Sequence, residues 1–356
     1  MEKTNSNIPT SEELKAYIDE SVISVTGTYD QSASVLMVDD STIGTLGNFS
    51  ASIGKAKSKK TFNVSAIAAA ALINGTVLHY RACFPEGKRK ILYVDTEQGK
   101  NHCQIVLNRI LKLAGLPKDC DADNLTMLAL RKYSPEVRLA ITEEAIGMIP
   151  DLGLVIIDGI RDFIHDINSP GESTVVISKF MQWTDDRQIH IHTILHQNKG
   201  DENARGHIGT ELNNKAETVL QVEKDENNPD ISKVKAAHIR AVDFEPFAFR
   251  INGEALPELL DGYRFKEKEP GKGRGKFDPN KDISEQQHRI ALEAAFTLKD
   301  EYGYKELAGV LRDAYASVGV ILGGNRVTDL ITLLKNKRMI VQENGRKYTF
   351  MPDFHY

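Results

Sequence analysis

Cysteine is scarce in this chain: three residues in 356, Cys83, Cys103 and Cys120, at no metal-ligand spacing and unable to form a full set of pairs. That excludes a disulfide-stapled scaffold and a cysteine-built zinc module, and reads as reduced thiols in a cytoplasmic protein. Long apolar runs are missing as well. The longest, Ala66 to Ile73, falls far short of the roughly 20 residues that span a bilayer, so no membrane partner is expected. The polar start Met1-Glu2-Lys3-Thr4-Asn5 lacks the apolar heart of a secretory signal. Hydrophobic residues at 41% and charged residues at 27% leave no room for a disordered or collagen-like chain. Strong charge of one sign is absent too. The net charge of −5 argues against a wholesale nucleic-acid binder, although Arg264–Tyr356 carries 17 Lys+Arg against 13 Asp+Glu and is mildly basic on an acidic body.

What is present is a change of pattern along the chain. Residues 1–34 are polar, with one helix expected over Ser11–Ser21, capped by Thr10 or Ser11. From 35 to 263, short apolar runs alternate with amphipathic stretches. Strands are expected at Asn48–Ile53, Lys90–Asp95, Leu125–Leu130, Leu154–Asp158, Ile191–His196, Thr218–Val222 and Val234–Ile239. Helices are expected at Thr61–Asn74, stopped by a left-handed Gly75, and at Gln104–Ala114, where Val106, Leu107, Ile110 and Leu111 share a face. Strands alternating with helices require crossover connections. The fold class that follows is α/β, a mostly parallel sheet covered by helices on both faces.

Residues 264–282 hold seven basic residues among glycines and prolines and read as a flexible basic linker. Residues 283–356 show three helix candidates, Ser284–Glu301, Tyr304–Ser317 and Asn325–Lys337. A hairpin of Met339–Gln342 and Lys347–Phe350 follows, turning at Asn344-Gly345. Three helices and a terminal hairpin read as a small winged helix. Arg326, Lys335, Lys337 and Arg338 on or beside its third helix, and Arg346 and Lys347 at the hairpin tip, suit duplex DNA. Asp329 and Glu343 weaken that field, and such modules also contact proteins.

Chemistry concentrates where the first core strand meets the first core helix. Gly54-Lys55-Ala56-Lys57-Ser58-Lys59-Lys60-Thr61, continuing into Phe62, approximates the pattern G-x-x-x-x-G-K-[ST]. In that pattern backbone N–H groups wrap phosphates, Lys60 contacts the β/γ-phosphates and the Thr61 hydroxyl binds Mg²⁺. The helix that starts there adds its positive end to the anion site. One position departs: Lys59 stands where the second glycine belongs, and a side chain there disfavours positive φ. Two apolar strands ending in carboxylates follow, Ile91-Leu92-Tyr93-Val94-Asp95-Thr96-Glu97 and Leu154-Val155-Ile156-Ile157-Asp158. Phosphoryl transfer to water needs one group to orient the water and one acid to hold the metal, and Glu97 and Asp158 fit these roles.

These motifs resemble the RecA-type P-loop ATPases over about residues 35–255, in particular the RepA-like hexameric ATPases and helicases of plasmids and other mobile elements. The resemblance implies a RecA-like core that binds ATP and Mg²⁺. Glu97 would be the catalytic glutamate, Asp158 the metal acid, and Gln197, after Leu195-His196, a γ-phosphate sensor. It implies that Asn198–Thr210, with Ala204-Arg205-Gly206, is a flexible segment facing a central DNA channel. Lys235-Ala236-Ala237-His238-Ile239-Arg240 matches the basic finger that reaches a neighbouring subunit's nucleotide, with Arg240 carried over and His238 in place of a lysine. The implied assembly is a homo-oligomer, a hexamer, with single-stranded DNA in the ring and replication or mobilisation proteins as partners. The rival readings are a nucleotide-sensing adaptor or helicase loader with little hydrolysis, and a RecA-type ATPase with no nucleic-acid role.

Other polar clusters carry blander readings. His190, His192 and His196 fall on alternate positions of one strand candidate and suit a packed strand face better than zinc. Asp162, His165 and Asp166 read as loop polarity, Asp185-Asp186 and Glu143-Glu144 as solvated helix ends, and Cys103 as packing.

Overall fold

In the computed structural model the chain separates into two compact units, Met1–Phe265 and Lys266–Tyr356. The structure describes residues 9–29, 31–197, 204–225, 228–260, 262–263, 265, 278–343, 347–352 and 354. Most of the expected linker, residues 198–203 of the expected channel loop and the Asn344-Gly345 turn with Arg346 lie outside them. Among the described residues no helix is long and apolar enough to cross a membrane.

The first unit opens with α1 (Ser11–Ser21), where Thr10 and Glu13 form a reciprocal capping box. Then come β1 (Ser34–Val38), β2 (Ser41–Thr45), β3 (Phe49–Gly54), α2 (Lys60–Ile73), β4 (Thr76–Val77), β5 (Tyr80–Ala82), β6 (Lys90–Asp95), α3 (Lys100–Leu113) and β7 (Leu125–Ala129). The unit continues with α4 (Pro135–Met148), β8 (Leu152–Asp158), a 3₁₀ turn (Ile160–Phe163), α5 (Pro170–Arg187), β9 (His190–His196), α6 (Gly206–Lys215), β10 (Thr218–Lys224), β11 (Ile231–Ile239), β12 (Phe247–Ile251) and β13 (Pro257–Leu259). The main sheet runs β13-β12-β11-β10-β3-β9-β8-β6-β7. Strands β10, β3, β9, β8, β6 and β7 are parallel, and β11 to β13 continue the sheet antiparallel.

Alternation of side chains sends each strand's residues to two cores. On one face Tyr93, Leu154, Ile156 and Leu220 pack beneath the alanine-rich α2 and beneath Val106 and Ile110 of α3. On the other, Ala51, Ile53, Val155 and Ile157 pack against Ile146 of α4, Phe180 and Trp183 of α5 and Leu212 of α6. Both faces are covered, as a parallel sheet requires. The α/β class read from the sequence is the observed one.

Several local expectations change. The helix stop after α2 is Asn74, at φ +47, not Gly75. The Asn74 side chain explains the choice, since its carboxamide accepts from the Phe84 N–H (2.6 Å) and donates to the Phe84 carbonyl (3.2 Å). The expected channel segment is not loop throughout: Gly206 opens α6, and the Arg205 N–H donates to the His196 carbonyl at 3.1 Å. Glu143 is no solvated end either. It accepts from Lys179 and from the Trp183 indole, tying α4 to α5. The small sheet β2-β1-β5-β4 is not signalled by the sequence, because its strands are short and mix serine, threonine and glycine with apolar residues.

The second unit holds α7 (Pro279–Asp282), α8 (Glu285–Phe296), β14 (Glu301–Gly303), α9 (Tyr304–Ser317), α10 (Gly324–Asn336), β15 (Ile340–Glu343) and β16 (Lys347–Phe350). Its antiparallel sheet runs β14-β16-β15. Leu292, Leu307, Leu311, Tyr315, Leu330 and Leu334 form the core. Helix α8 stops at Phe296, short of the expected Glu301. The chain there turns into β14, which buries Tyr302 and lets its hydroxyl donate to the Ala295 carbonyl at 2.9 Å. The short α7 occupies the end of the span expected to be linker.

Candidate nucleotide site

Strand β3 ends at Gly54, five residues turn, and α2 begins at Lys60. Glycine is required at 54 for close approach: a Cβ there would lie 2.2 Å from the Val222 carbonyl oxygen on β10. Within the loop, Lys57 and Lys59 sit at φ +62 and +65. The loop therefore keeps its left-handed turn at the position where glycine was expected, at a cost of about 1–2 kcal/mol for a residue with a Cβ. The Lys59 ammonium is anchored on the Asp230 carbonyl at 2.5 Å. Alternating backbone handedness of this kind points N–H groups inward and makes a concave anion site.

Lys60 is buried, and its Nζ donates to the loop carbonyls of Gly54 (2.8 Å) and Lys55 (3.0 Å) and to His196 Nδ1 (3.1 Å). Burial pulls its pKa down to about 8, against the opposing pull of Asp158 and Glu97. Thr61 Oγ1 donates to Asp158 Oδ2 at 3.1 Å, and the Tyr93 hydroxyl donates to the same oxygen at 3.1 Å. Asp158 sits in register with Asp95 on the neighbouring strand. Burial first, then the charges of Asp95 and Glu97, push the Asp158 carboxyl up to about 7. Asp95 is spent on the turn after β6, accepting from the backbone N–H groups of Glu97 and Gln98.

Glu97 follows that turn with about half its side chain exposed, 3.7 Å from His196 Nε2. The facing His196 ring, aided by Lys60 and Arg161, holds its carboxyl below the usual range, so it is ionised and in reach of water. Lys60, Thr61, Glu97, Asp158 and His196 line one cleft of about 480 Å³, with Phe62 and Arg109 at its wall. The Arg109 guanidinium lies 3.7 Å over the Phe62 ring.

Two expected site residues lie elsewhere. Gln197 is buried, its N–H donating to the Gly54 carbonyl at 3.1 Å, and it lines a separate cavity of about 350 Å³ with Lys55, Ala56 and Ser58. Arg240 is exposed just past β11, where its guanidinium donates to the Lys215 carbonyl at 3.2 Å beside Asn48 and Phe49 at the start of β3. Because Lys60 lies beyond the far end of β3, Arg240 is roughly 17 Å or more of strand rise from its own subunit's loop. Within one chain it is no part of the cleft.

Tyr93, Asp95, Arg109 and His196 stand at or beneath the cleft without having been assigned there from the sequence. Tyr93 and Asp95 share a face of β6 at period two, so the hydroxyl beneath the acid was legible in the alternation. His196 was grouped with His190 and His192, yet those two are sealed in the sheet. The His190 Nδ1 faces the Thr45 carbonyl at 2.9 Å and donates to it, so Nε2 accepts from Ser50. Ser50 in turn accepts from His192 Nδ1, and His192 Nε2 accepts from Ser52. Burial holds both rings neutral, with the His192 pKa near 3. Among the described residues no group of three or more His, Cys, Asp or Glu side chains suits a metal.

Residues 42–202 match the family model of the AAA domain. That span holds the whole cleft, from the strand before the loop to the end of β9. No curated protein sequence matches the chain. Among solved structures, the crystal structure of the RadB recombinase superposes with a TM-score of 0.42 at 13% identity, covering 59% of this chain and 90% of that one. The core has α/β, RecA-like architecture with extra antiparallel elements toward the C-terminus, and the matched span corresponds to a P-loop ATPase domain. Such a domain implies ATP and Mg²⁺, and the residues present fit both. Thr61 and Asp158 offer two hard oxygen donors side by side, and Mg²⁺ takes few protein ligands when phosphates and water supply the rest. The left-handed loop, the Lys60 ammonium and the start of α2 supply the anion half.

Proposed function

We propose that the protein binds and hydrolyses Mg²⁺-ATP as a RecA-type ring ATPase acting on DNA, in replication or mobilisation of a mobile genetic element. The observation that carries the reading is the direct Thr61–Asp158 bond at the foot of a loop whose lysine shares a cleft with Glu97. Bound Mg²⁺ would neutralise phosphate charge beside Thr61 and Asp158. The chain's own groups do the rest. Lys60 holds the terminal phosphates, the loop N–H groups wrap them, and the half-exposed, ionised Glu97 orients the attacking water.

Arg240, which cannot reach its own loop, suits a contact in trans, with hydrolysis between subunits of a hexamer and Gln197 signalling from the loop backbone. An arginine supplied by a neighbour is worth roughly 10³–10⁵ in turnover, so an isolated subunit would be a poor ATPase. In the second unit, α10 with Lys335 at its end and Arg338 just past it, next to the β15–β16 hairpin, suits a winged helix placed on duplex DNA, while single-stranded DNA would occupy the ring. ATP turnover measured with and without single-stranded DNA tests the reading. Glu97→Gln is expected to lose at least 100-fold in turnover (~10²–10⁴ for a group that activates water) while still binding nucleotide. Parental turnover in Glu97→Gln removes Glu97 from that role.

A second reading, a nucleotide-sensing adaptor with little hydrolysis, is favoured by the loop itself, whose lysine is fully engaged by its own carbonyls and His196. Strand displacement on a forked duplex separates the two. Unwinding supports the motor, and tight binding without unwinding supports the adaptor.

A further inference from the structure

The Lys60 ammonium has three hydrogens and no lone pair, and three acceptors surround it: the Gly54 and Lys55 carbonyls and His196 Nδ1. Because an ammonium can only donate, His196 Nδ1 must be the acceptor. The ring is then neutral, with its proton on Nε2, the nitrogen that faces Glu97 Oε1 at 3.7 Å. One ring therefore touches both the residue that grips the phosphates and the residue that faces water, and in this state Lys60 has no hydrogen left for a phosphate oxygen. Of the three acceptors, two are backbone of the loop itself and cannot leave without unmaking it. His196 is a side chain at the tip of β9, with a ring about two-fifths exposed, and it can turn away without moving the loop.

We propose that His196 is a positioning residue that latches Lys60 in the nucleotide-free state and hands it over when a triphosphate arrives, loosening its hold on Glu97 in the same movement. The inference rests on the Mg²⁺-ATP reading and adds a regulatory device to it. Nucleotide entry must break the Nδ1 bond, so the latch weakens binding by the worth of one charge-assisted hydrogen bond.

The test uses the full chain, equilibrium titration with Mg²⁺-ATP and steady-state turnover. His196→Ala and His196→Leu are expected to bind Mg²⁺-ATP about 10–100-fold more tightly than the parent, with KM falling in step. His196→Asn, whose Oδ1 offers an acceptor close to the position of Nδ1, is expected to restore most of the parental KM. A merely structural role would not tighten binding in two variants and return it in a third. Unchanged or weaker binding in both His196→Ala and His196→Leu overturns the latch, as does His196→Asn behaving like His196→Ala. Failure of the parent to bind Mg²⁺-ATP overturns the proposed function instead, and the two failures are told apart by the parent titration alone.

Discussion

Replacing Asp158 by asparagine is expected to stabilise the metal-free protein and to abolish its response to Mg²⁺-nucleotide. Asp158 is held at about 7 in the fold, against 3.8 for an ordinary aspartate, chiefly by burial and then by Asp95 and Glu97. A carboxyl whose folded pKa is raised binds more protons folded than unfolded. It costs nothing below the unfolded value, costs progressively more as pH rises, and costs its full amount above the folded value. Three units correspond to about 4 kcal/mol at pH 8, and since Asp95 and Glu97 share the titration, about 2–4 kcal/mol falls to Asp158 itself. At pH 5 the same shift leaves under about 2 kcal/mol. Asparagine keeps an acceptor for Thr61 and Tyr93 and removes the charge. In EDTA at pH 8 the variant should therefore melt roughly 5–10 °C above the parent, by the usual 2–4 °C per kcal/mol for a unit of this size. The gap should shrink at pH 5. With Mg²⁺-ATP the parent's melting point should rise and the variant's stay put. A variant that melts at or below the parent at pH 8, or a gap that does not change with pH, refutes the assignment of Asp158 as a strained, metal-ready acid.

Lys60 titrates in the opposite sense, its lowered value near 8 meaning that charged Lys60 costs stability below that pH and the cost disappears as pH rises toward 10.5. A bound triphosphate restores its charge, so nucleotide binding at pH 9 should take up nearly one proton and at pH 7 about a tenth of one. Calorimetry in two buffers of different ionisation enthalpy checks this, and equal uptake at both pH values counts against it. Lys59→Gly relieves a left-handed lysine and loses an exposed bond to Asp230, for a net gain of about 1 kcal/mol read from the urea midpoint; a loss of stability would show that the loop is not strained at that residue. Gly54→Ala puts a methyl 2.2 Å from the Val222 carbonyl and is expected to cost about 1–3 kcal/mol and the nucleotide site with it. Parental melting and binding in that variant would mean that β10 and the loop are not so tightly apposed.

How much was legible in the sequence follows from how local each signal is. The continuous apolar runs of Lys90–Asp95 and Leu154–Asp158 and the alanine-rich stretch after Lys60 carry their structure in neighbouring residues, and these elements lie where the pattern put them. Helices α4 and α5 lie outside the expected elements, although a proline at the start of each is a local start signal. Three helices of the second unit were legible for the same local reason, but the end of α8 was not. Its last turn gives way to β14, which exists only because β16, some 45 residues later, pairs with it.

The residues themselves decided that a phosphate loop would stand between a strand and a helix, and that two acids would end two apolar strands of one parallel sheet. Nothing in the chain's order could decide the rest. That β9 lies between β3 and β8 is a property of the sheet, and it brings His196 against Lys60 while leaving His190 and His192, three and two positions back along the same alternating face, sealed among serines. The same topology runs β11 antiparallel and places Arg240 at the opposite end of β3 from Lys60, because strand direction, like strand order, is set by packing across the whole sheet.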